Sequence, residues 1–395
     1  MDTNRQHDLD YLKVALTCLV VAHHAGQPYG GSNGFWYVES AAQTDLGAFF
    51  SVNAAFFMSL FFFISAVFLP GSFDRKAAPR FLADRLKKLG LPLLGGFLAL
   101  IPVIMYAYYV NFRPYGSRSF FDYYANVYFG LGGMPPDWSG PSWPDMQFGH
   151  LWFIEHLLVY ACMYAAARWM ADNLLPVRKL AAKPETAHPP LRNAGLLLCA
   201  VVLSFITYAV RTVSPIDQWT GFLGFIQAEY AHVPQYAAFF IAGIYAYRRR
   251  WLRTMAPQVG LAWLAVGLLL AAGRYGGLLG YSPGGTGRDA LIYAFVETFL
   301  AVGLSVGLLY LFRRYANRPV RLLARLSAAS FTVYVIHVPV LVLLQYMLRY
   351  LEIAAMGKFL ATAAIGIVLS YAIGAALSAS LPRRARPRQH HSGSV

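Results

Sequence analysis

Lys13 and His24 are residues whose types and spacing could do chemistry together. Eleven residues apart at 100° per residue, they differ by about 1100°, or three turns plus about 20°. In a helix the ammonium and the imidazole therefore share a face, roughly 16 Å apart along the axis. Asp10 lies one turn before Lys13 and can pair with it, fixing the ammonium near the helix start. An imidazole beside an apolar cavity can take a proton from a hydroxyl, because its ordinary pKa lies near neutral. The same position suits a buried histidine bonded to a neighbouring helix, and spacing leaves both readings open. His23 points to another face.

Three further groups follow. Arg85 and Lys88, three apart, share a helix face and can hold phosphates or anchor the chain at a membrane surface. Trp152, Glu155 and His156 fall at i, i+3 and i+4 and so face one direction. Glu155 and Glu297 are acids inside apolar runs, where an ionisable group is costly; each is either functional or paired with a base on another helix. Ser330, Tyr334 and His337 make a polar stripe that can line a cavity or join helices.

The elements that must position these groups are membrane helices. Of 395 residues, 57% are hydrophobic and only 13% charged, about half the charged share of a soluble domain. The apolar residues come in blocks of about 20, the length that crosses a bilayer. The spans run roughly 9–27, 47–69, 89–110, 149–170, 194–213, 232–247, 257–273, 288–312, 326–348 and 357–381. The expected fold is an all-α integral membrane protein, a bundle of about ten transmembrane helices. Assigning loops to alternate sides puts 26 of the 33 Lys and Arg on one side and 7 on the other. This asymmetry places both termini in the cytoplasm. It also accounts for the net charge of +15 without a nucleic-acid partner, since the positive charge is spread over short loops with no basic, aromatic-lined groove.

Residues 1–381 read as one membrane domain and 382–395 as a basic, disordered cytoplasmic tail. Cys18, Cys162 and Cys199 lie in apolar runs and form neither a disulfide framework nor a metal cluster. The acidic start of the chain, with Asp2, Asp8 and Asp10, reads as leading into a retained first helix. The connection 111–148 is rich in aromatics, Gly and Pro. Its aromatics suit an interfacial belt, and with Asp122, Asp137 and Asp145 they could also receive a sugar.

Taken in order, four segments resemble the membrane-bound acyltransferase 3 family. LDYLKVALTCLVVAHH resembles a basic residue followed by ten positions and a His, with Lys13 where Arg is usual. FFFISAVF resembles FFxISGxF with Ala66 in place of Gly; RLKKLGLP carries Arg85 and Lys88; SFTVYVIHVPVL resembles S-x-x-x-Y-x-x-H. HLWFIEHLL is similar to the HLWFL variant of the branch containing glucans biosynthesis protein C. Members with WSLxVE carry Glu five residues after the Trp, where Leu157 stands here.

The resemblance implies transfer of an acyl group, acetyl or succinyl, from coenzyme A to a hydroxyl of a glycan or other extracytoplasmic acceptor. His24 would be the base and Lys13, Arg85 and Lys88 would hold acyl-CoA. Asp10, Trp152, Glu155, Tyr334 and His337 would surround the substrate or the oxyanion. Acyl-CoA would be a co-substrate, with no bound cofactor and no metal. The expected partners are a glycan or lipid-linked sugar and the lipid bilayer, and the location is the cell inner (plasma) membrane. Ionisable groups within spans also suit a transporter or flippase of a lipid-linked sugar, although no repeat with paired broken helices is evident.

Overall fold

The computed structural model describes residues 6–30, 35–140, 142–174, 191–222 and 226–380. Arg5, the basic residues between 175 and 190, and the expected tail 382–395 lie outside the described residues.

An apolar segment in lipid must satisfy its own backbone, and a helix does so within one segment. Among the described residues the long helices are α1 (His7–Gly26), α2 (Gly47–Asp74), α3 (Ala78–Phe112), α4 (Trp152–Leu174) and α5 (Asn193–Arg211). After a short hairpin come α6 (Val233–Arg248), α7 (Pro257–Tyr275), α8 (Arg288–Tyr315), α9 (Arg321–Leu348) and α10 (Ala355–Ser380). Each expected apolar run falls on one of these helices. Seven, all except α1, α4 and α6, are long and apolar enough to cross a membrane. The exceptions have local causes: α1 carries Asp8, Asp10 and Lys13, α4 carries Glu155, Arg168 and Asp172, and α6 has 16 residues.

α2 and α8 are the most enclosed of these seven. α6 packs on α2 so closely that a Cβ on Gly243 would meet Phe63 O at 2.4 Å. Gln235 of α6 donates to Ala55 O (2.5 Å) and Ser59 Oγ (2.8 Å) of α2. α7 and α8 touch backbone to backbone, since a Cβ on Gly303 would stand 2.6 Å from Gly267 N. In lipid, where apolar surface gains nothing by leaving the solvent, such close packing of small residues is what holds helices together. The outward faces stay apolar, as with Leu197, Leu198, Val202, Phe205 and Ile206 of α5.

α3 carries two π-helical turns, Leu86–Gly90 and Gly96–Leu100. Each ends two residues before a proline: Leu91 N bonds Leu86 O ahead of Pro92, and Ile101 N bonds Gly96 O ahead of Pro102. A proline has no N–H to continue the α pattern, and the wider turn takes up the break.

Asp74 at the end of α2 accepts from Arg168 of α4 (3.1 Å) and from Arg248 of α6 (2.7 and 3.0 Å). This gathers the basic ends of several helices at one end of the bundle. Inside the other half, Glu297 of α8 pairs with Arg211 of α5 and accepts from His232 (3.0 Å), which also bonds Glu229 at 2.6 Å. Glu297 is thus the paired acid of the two sequence alternatives.

A two-stranded hairpin, β1 (Trp219–Phe222) and β2 (Ile226–Glu229), was not expected from the sequence; its register sets Trp219 against Glu229. It caps the start of α4. The 111–148 connection packs back against the second π-helical turn of α3. Tyr128 and Tyr124 donate to Phe97 O (2.8 Å) and Leu98 O (2.9 Å), and Tyr115 stacks on Trp138 at 4.9 Å.

Candidate active site

His24 stands in the last turn of α1, and α9 crosses beside it. His24 Nδ1 lies 2.9 Å from His337 Nε2, and His337 Nδ1 lies 2.6 Å from Tyr334 O. A carbonyl only accepts, so His337 Nδ1 carries the hydrogen. In a neutral imidazole the other nitrogen is then an acceptor. His24 Nδ1–H therefore donates to His337, which leaves the lone pair of His24 on Nε2. That nitrogen makes no hydrogen bond among the described residues. The His24 ring is half-buried, whereas His337 is wholly buried. His23 is directed elsewhere, among the Phe49, Phe50 and Phe57 rings, with its Nδ1 sealed and unpartnered.

Trp36 covers the ring, its indole stacked on His24 at 5.4 Å and 12°. Trp36 Nε1 donates to Gln345 Oε1 (2.8 Å), and Gln345 Nε2 donates to His24 O (3.1 Å) and Ala25 O (3.2 Å). One buried amide on α9 thus fastens both the cover and the end of α1. His150 completes the group, its ring 5.1 Å from His337 and its Nε2–H donating to Val335 O at 2.9 Å. The Tyr334 hydroxyl donates to His150 O.

Trp36, Gln345 and His150 were not among the residues picked from sequence. Gln345 had a signal, being eleven residues after Tyr334 and so on nearly the same face. His150 opens the HLWFIE segment. Trp36 is a loop aromatic, and its position depends on tertiary contacts alone.

At the basic end, Lys13 pairs with Asp10 (2.8 Å) and sits 5.5 Å from the Phe68 ring. Arg85 donates to Ser72 Oγ at 2.9 Å and lies over Phe81 at 5.0 Å, with its Nε buried and unpartnered. Phe68 and Ser72 are four residues apart on α2, so both cations gather around one turn of that helix. Lys88 lies in the first π turn and is exposed.

The Trp152, Glu155 and His156 face is directed to a different neighbourhood. Trp152 stacks on Tyr236 at 5.4 Å. Buried Glu155 accepts from Gln227 N (3.3 Å), and His156 bonds Gln227 O (3.0 Å). These residues hold the hairpin. Ser330 bonds Tyr371 of α10 at 3.2 Å, a helix-joining contact. In the capping connection, Asp122 is held below the usual carboxylate range by Arg118 at 2.8 Å. Asp145 accepts from Tyr123 at 2.7 Å, and burial pushes its carboxyl up to about 7.

The geometry therefore sets an imidazole with a directed lone pair and a pair of cations at opposite ends of the face that α1 offers. No curated protein matches this chain. A family model described as an acyltransferase domain, acyltransferase 3, matches residues 6–378.

Proposed function

The chain belongs to the acyltransferase 3 family, and from that premise we propose that it moves an acetyl or succinyl group from acyl-CoA to a hydroxyl of a glycan or other extracytoplasmic acceptor. Membership makes it a membrane acyltransferase; the donor, the acceptor and the base are this proposal. The basic end of the bundle faces the cytoplasm of the inner membrane. Coenzyme A phosphates rest on Lys13, Arg85 and Lys88. The thioester arm then runs along α1 for the roughly 16 Å between Lys13 and His24.

The acceptor hydroxyl gives its proton to His24 Nε2 as its oxygen bonds to the thioester carbonyl carbon. The tetrahedral adduct collapses with cleavage of the C–S bond. The proton on Nε2 passes to the departing thiolate, which leaves an ester, free coenzyme A and a neutral imidazole. During proton transfer His337 accepts from His24 Nδ1 throughout, so positive charge is shared towards the Tyr334 carbonyl.

The observation that carries the reading is the Tyr334–His337–His24 hydrogen-bond chain, which sets the tautomer of the base. Purified protein in nanodiscs, given labelled acetyl-CoA and cell-envelope glycan, is expected to acylate the glycan. His24→Ala is expected to lose at least about 100-fold in rate. Acylation retained by His24→Ala would reject the assigned base.

A further inference from the structure

At the end of the bundle away from Lys13, a cleft of about 490 Å³ is lined by Glu39, Ser40, Arg349, Tyr350, Glu352 and Lys358, among others. It adjoins the candidate base through two short links. Trp36, stacked on His24, precedes Glu39 by three residues, and Gln345, which holds Trp36, precedes Arg349 by one helical turn.

The charges in this cleft are unusual. Lys358 is only 5% exposed, and its ammonium donates one hydrogen bond, to Arg349 O at 3.2 Å. An ammonium has three donors. The Arg349 guanidinium lies against the Tyr346 and Tyr350 rings at 3.9 and 4.5 Å and donates to Tyr346 Oη at 3.1 Å and to the Tyr350 hydroxyl. Among the described residues neither cation has an ion pair. Glu39 and Glu352 line the same cleft, yet neither forms an ion pair with Lys358, which leaves two of its three buried N–H donors open to an acceptor that enters the cleft. Topology does not ask for these cations, because a basic excess is expected at the opposite end. Glu39 already accepts from Tyr108 at 2.9 Å, and with Glu352 it offers acceptor oxygens at the same wall.

We propose that this cleft binds an anionic group, a carboxylate or a phosphate, with Lys358 and Arg349 as its cationic ligands. Glu39, Glu352 and the Tyr350 ring suit the hydroxyls and apolar face of a sugar carrying that group. The proposal rests on the acyl-transfer reading of His24, since it makes the acceptor an acidic molecule seated one residue layer above the base. An acidic glycan unit and an anionic lipid headgroup share this chemistry.

The test is calorimetry on the full chain in phosphatidylcholine nanodiscs, titrated with galacturonate, inorganic phosphate and galactose. Galacturonate and phosphate are expected to bind, with galactose about tenfold weaker or more. Lys358→Met and Arg349→Gln are each expected to weaken anion binding by about tenfold or more. Arg288→Gln, at an exposed residue on the same end, is expected to leave it unchanged. Wild-type affinity in Lys358→Met, or equal binding of galactose, overturns the proposal. Loss of galacturonate binding on adding phosphatidylglycerol assigns the cleft to a lipid headgroup, and persistence assigns it to a soluble anion; both outcomes support an anion site.

Lys358→Met removes a buried charge that has no ion pair among the described residues and is expected to melt no lower than the wild type. Should it fail to fold, Arg349→Gln at the rim carries the test. Because binding is read without turnover, the two readings separate. Anion binding lost in Lys358→Met while His24→Ala still acylates keeps the cleft and rejects the base. Binding intact in Lys358→Met while His24→Ala is dead does the reverse.

Discussion

At the scale of single residues, what matters is which nitrogen holds which proton. His337 touches His24 with one nitrogen and a main-chain carbonyl with the other, at 2.9 and 2.6 Å. Under the proposed acyl transfer it is therefore a positioning residue. His337→Phe keeps a planar aromatic ring, somewhat larger, and removes both bonds, which frees His24 to flip or change tautomer. Its kcat is expected to fall on the order of 100-fold, with the KM for acyl-CoA unchanged. His337→Gln can accept from His24 with its oxygen and donate to Tyr334 O with its amide, so it should recover much of the loss. Equal loss in both variants would show that the ring only fills space. Spacing along one helix revealed His24 and the Tyr334–His337 stripe as polar faces. It could not show that the two faces meet, because that contact joins residues 313 positions apart. Nor could it separate Trp152 and Glu155 from the base, since a shared direction on a helix does not say what lies opposite.

At the scale of elements, hydropathy located the long helices of the described residues, seven of them long and apolar enough to cross a membrane, because lipid leaves few other backbone solutions. The hairpin escaped because four-residue strands fall below the window that reveals spans. The π turns of α3 also escaped: Pro92 and Pro102 were visible, whereas the response of the helix to them was not. The turn at Leu86–Gly90 explains why Arg85 and Lys88 differ in exposure although three residues apart. The capping connection has its own titrating latch in Asp145. Its folded carboxyl stands near 7 against an ordinary value of 3.8, so between these pH values the folded state holds a proton that the unfolded state has lost. Stability from this group is thus greatest in acid, falls as pH rises from about 4 to 7, and is level above that. The total change is about 4 kcal/mol at most. Relative to the wild type, Asp145→Asn should melt progressively higher as pH is raised from 4.5 to 7 in detergent. A difference that is flat across that range would remove Asp145 as the cause.

At the scale of the molecule, the arrangement has two ends with unlike chemistry and one face of α1 between them. Lys13 and Arg85 gather around one turn of α2 at the first end, and the Arg349–Lys358 cleft opens at the second. The charge asymmetry read from the loops implies that the first end is cytoplasmic. In a variant with Cys18, Cys162 and Cys199 replaced, a cysteine at Glu352 should react in intact cells with a reagent that cannot cross the membrane. A cysteine at Arg80 should react only after permeabilisation. The reverse pattern would invert the molecule and remove the route proposed for the donor.

α9 carries Tyr334, His337 and Gln345 on a single helix, and it ends beside Arg349. Any slide or roll of that rod would disturb the tautomer lock, the indole cover and the rim of the cleft in one movement.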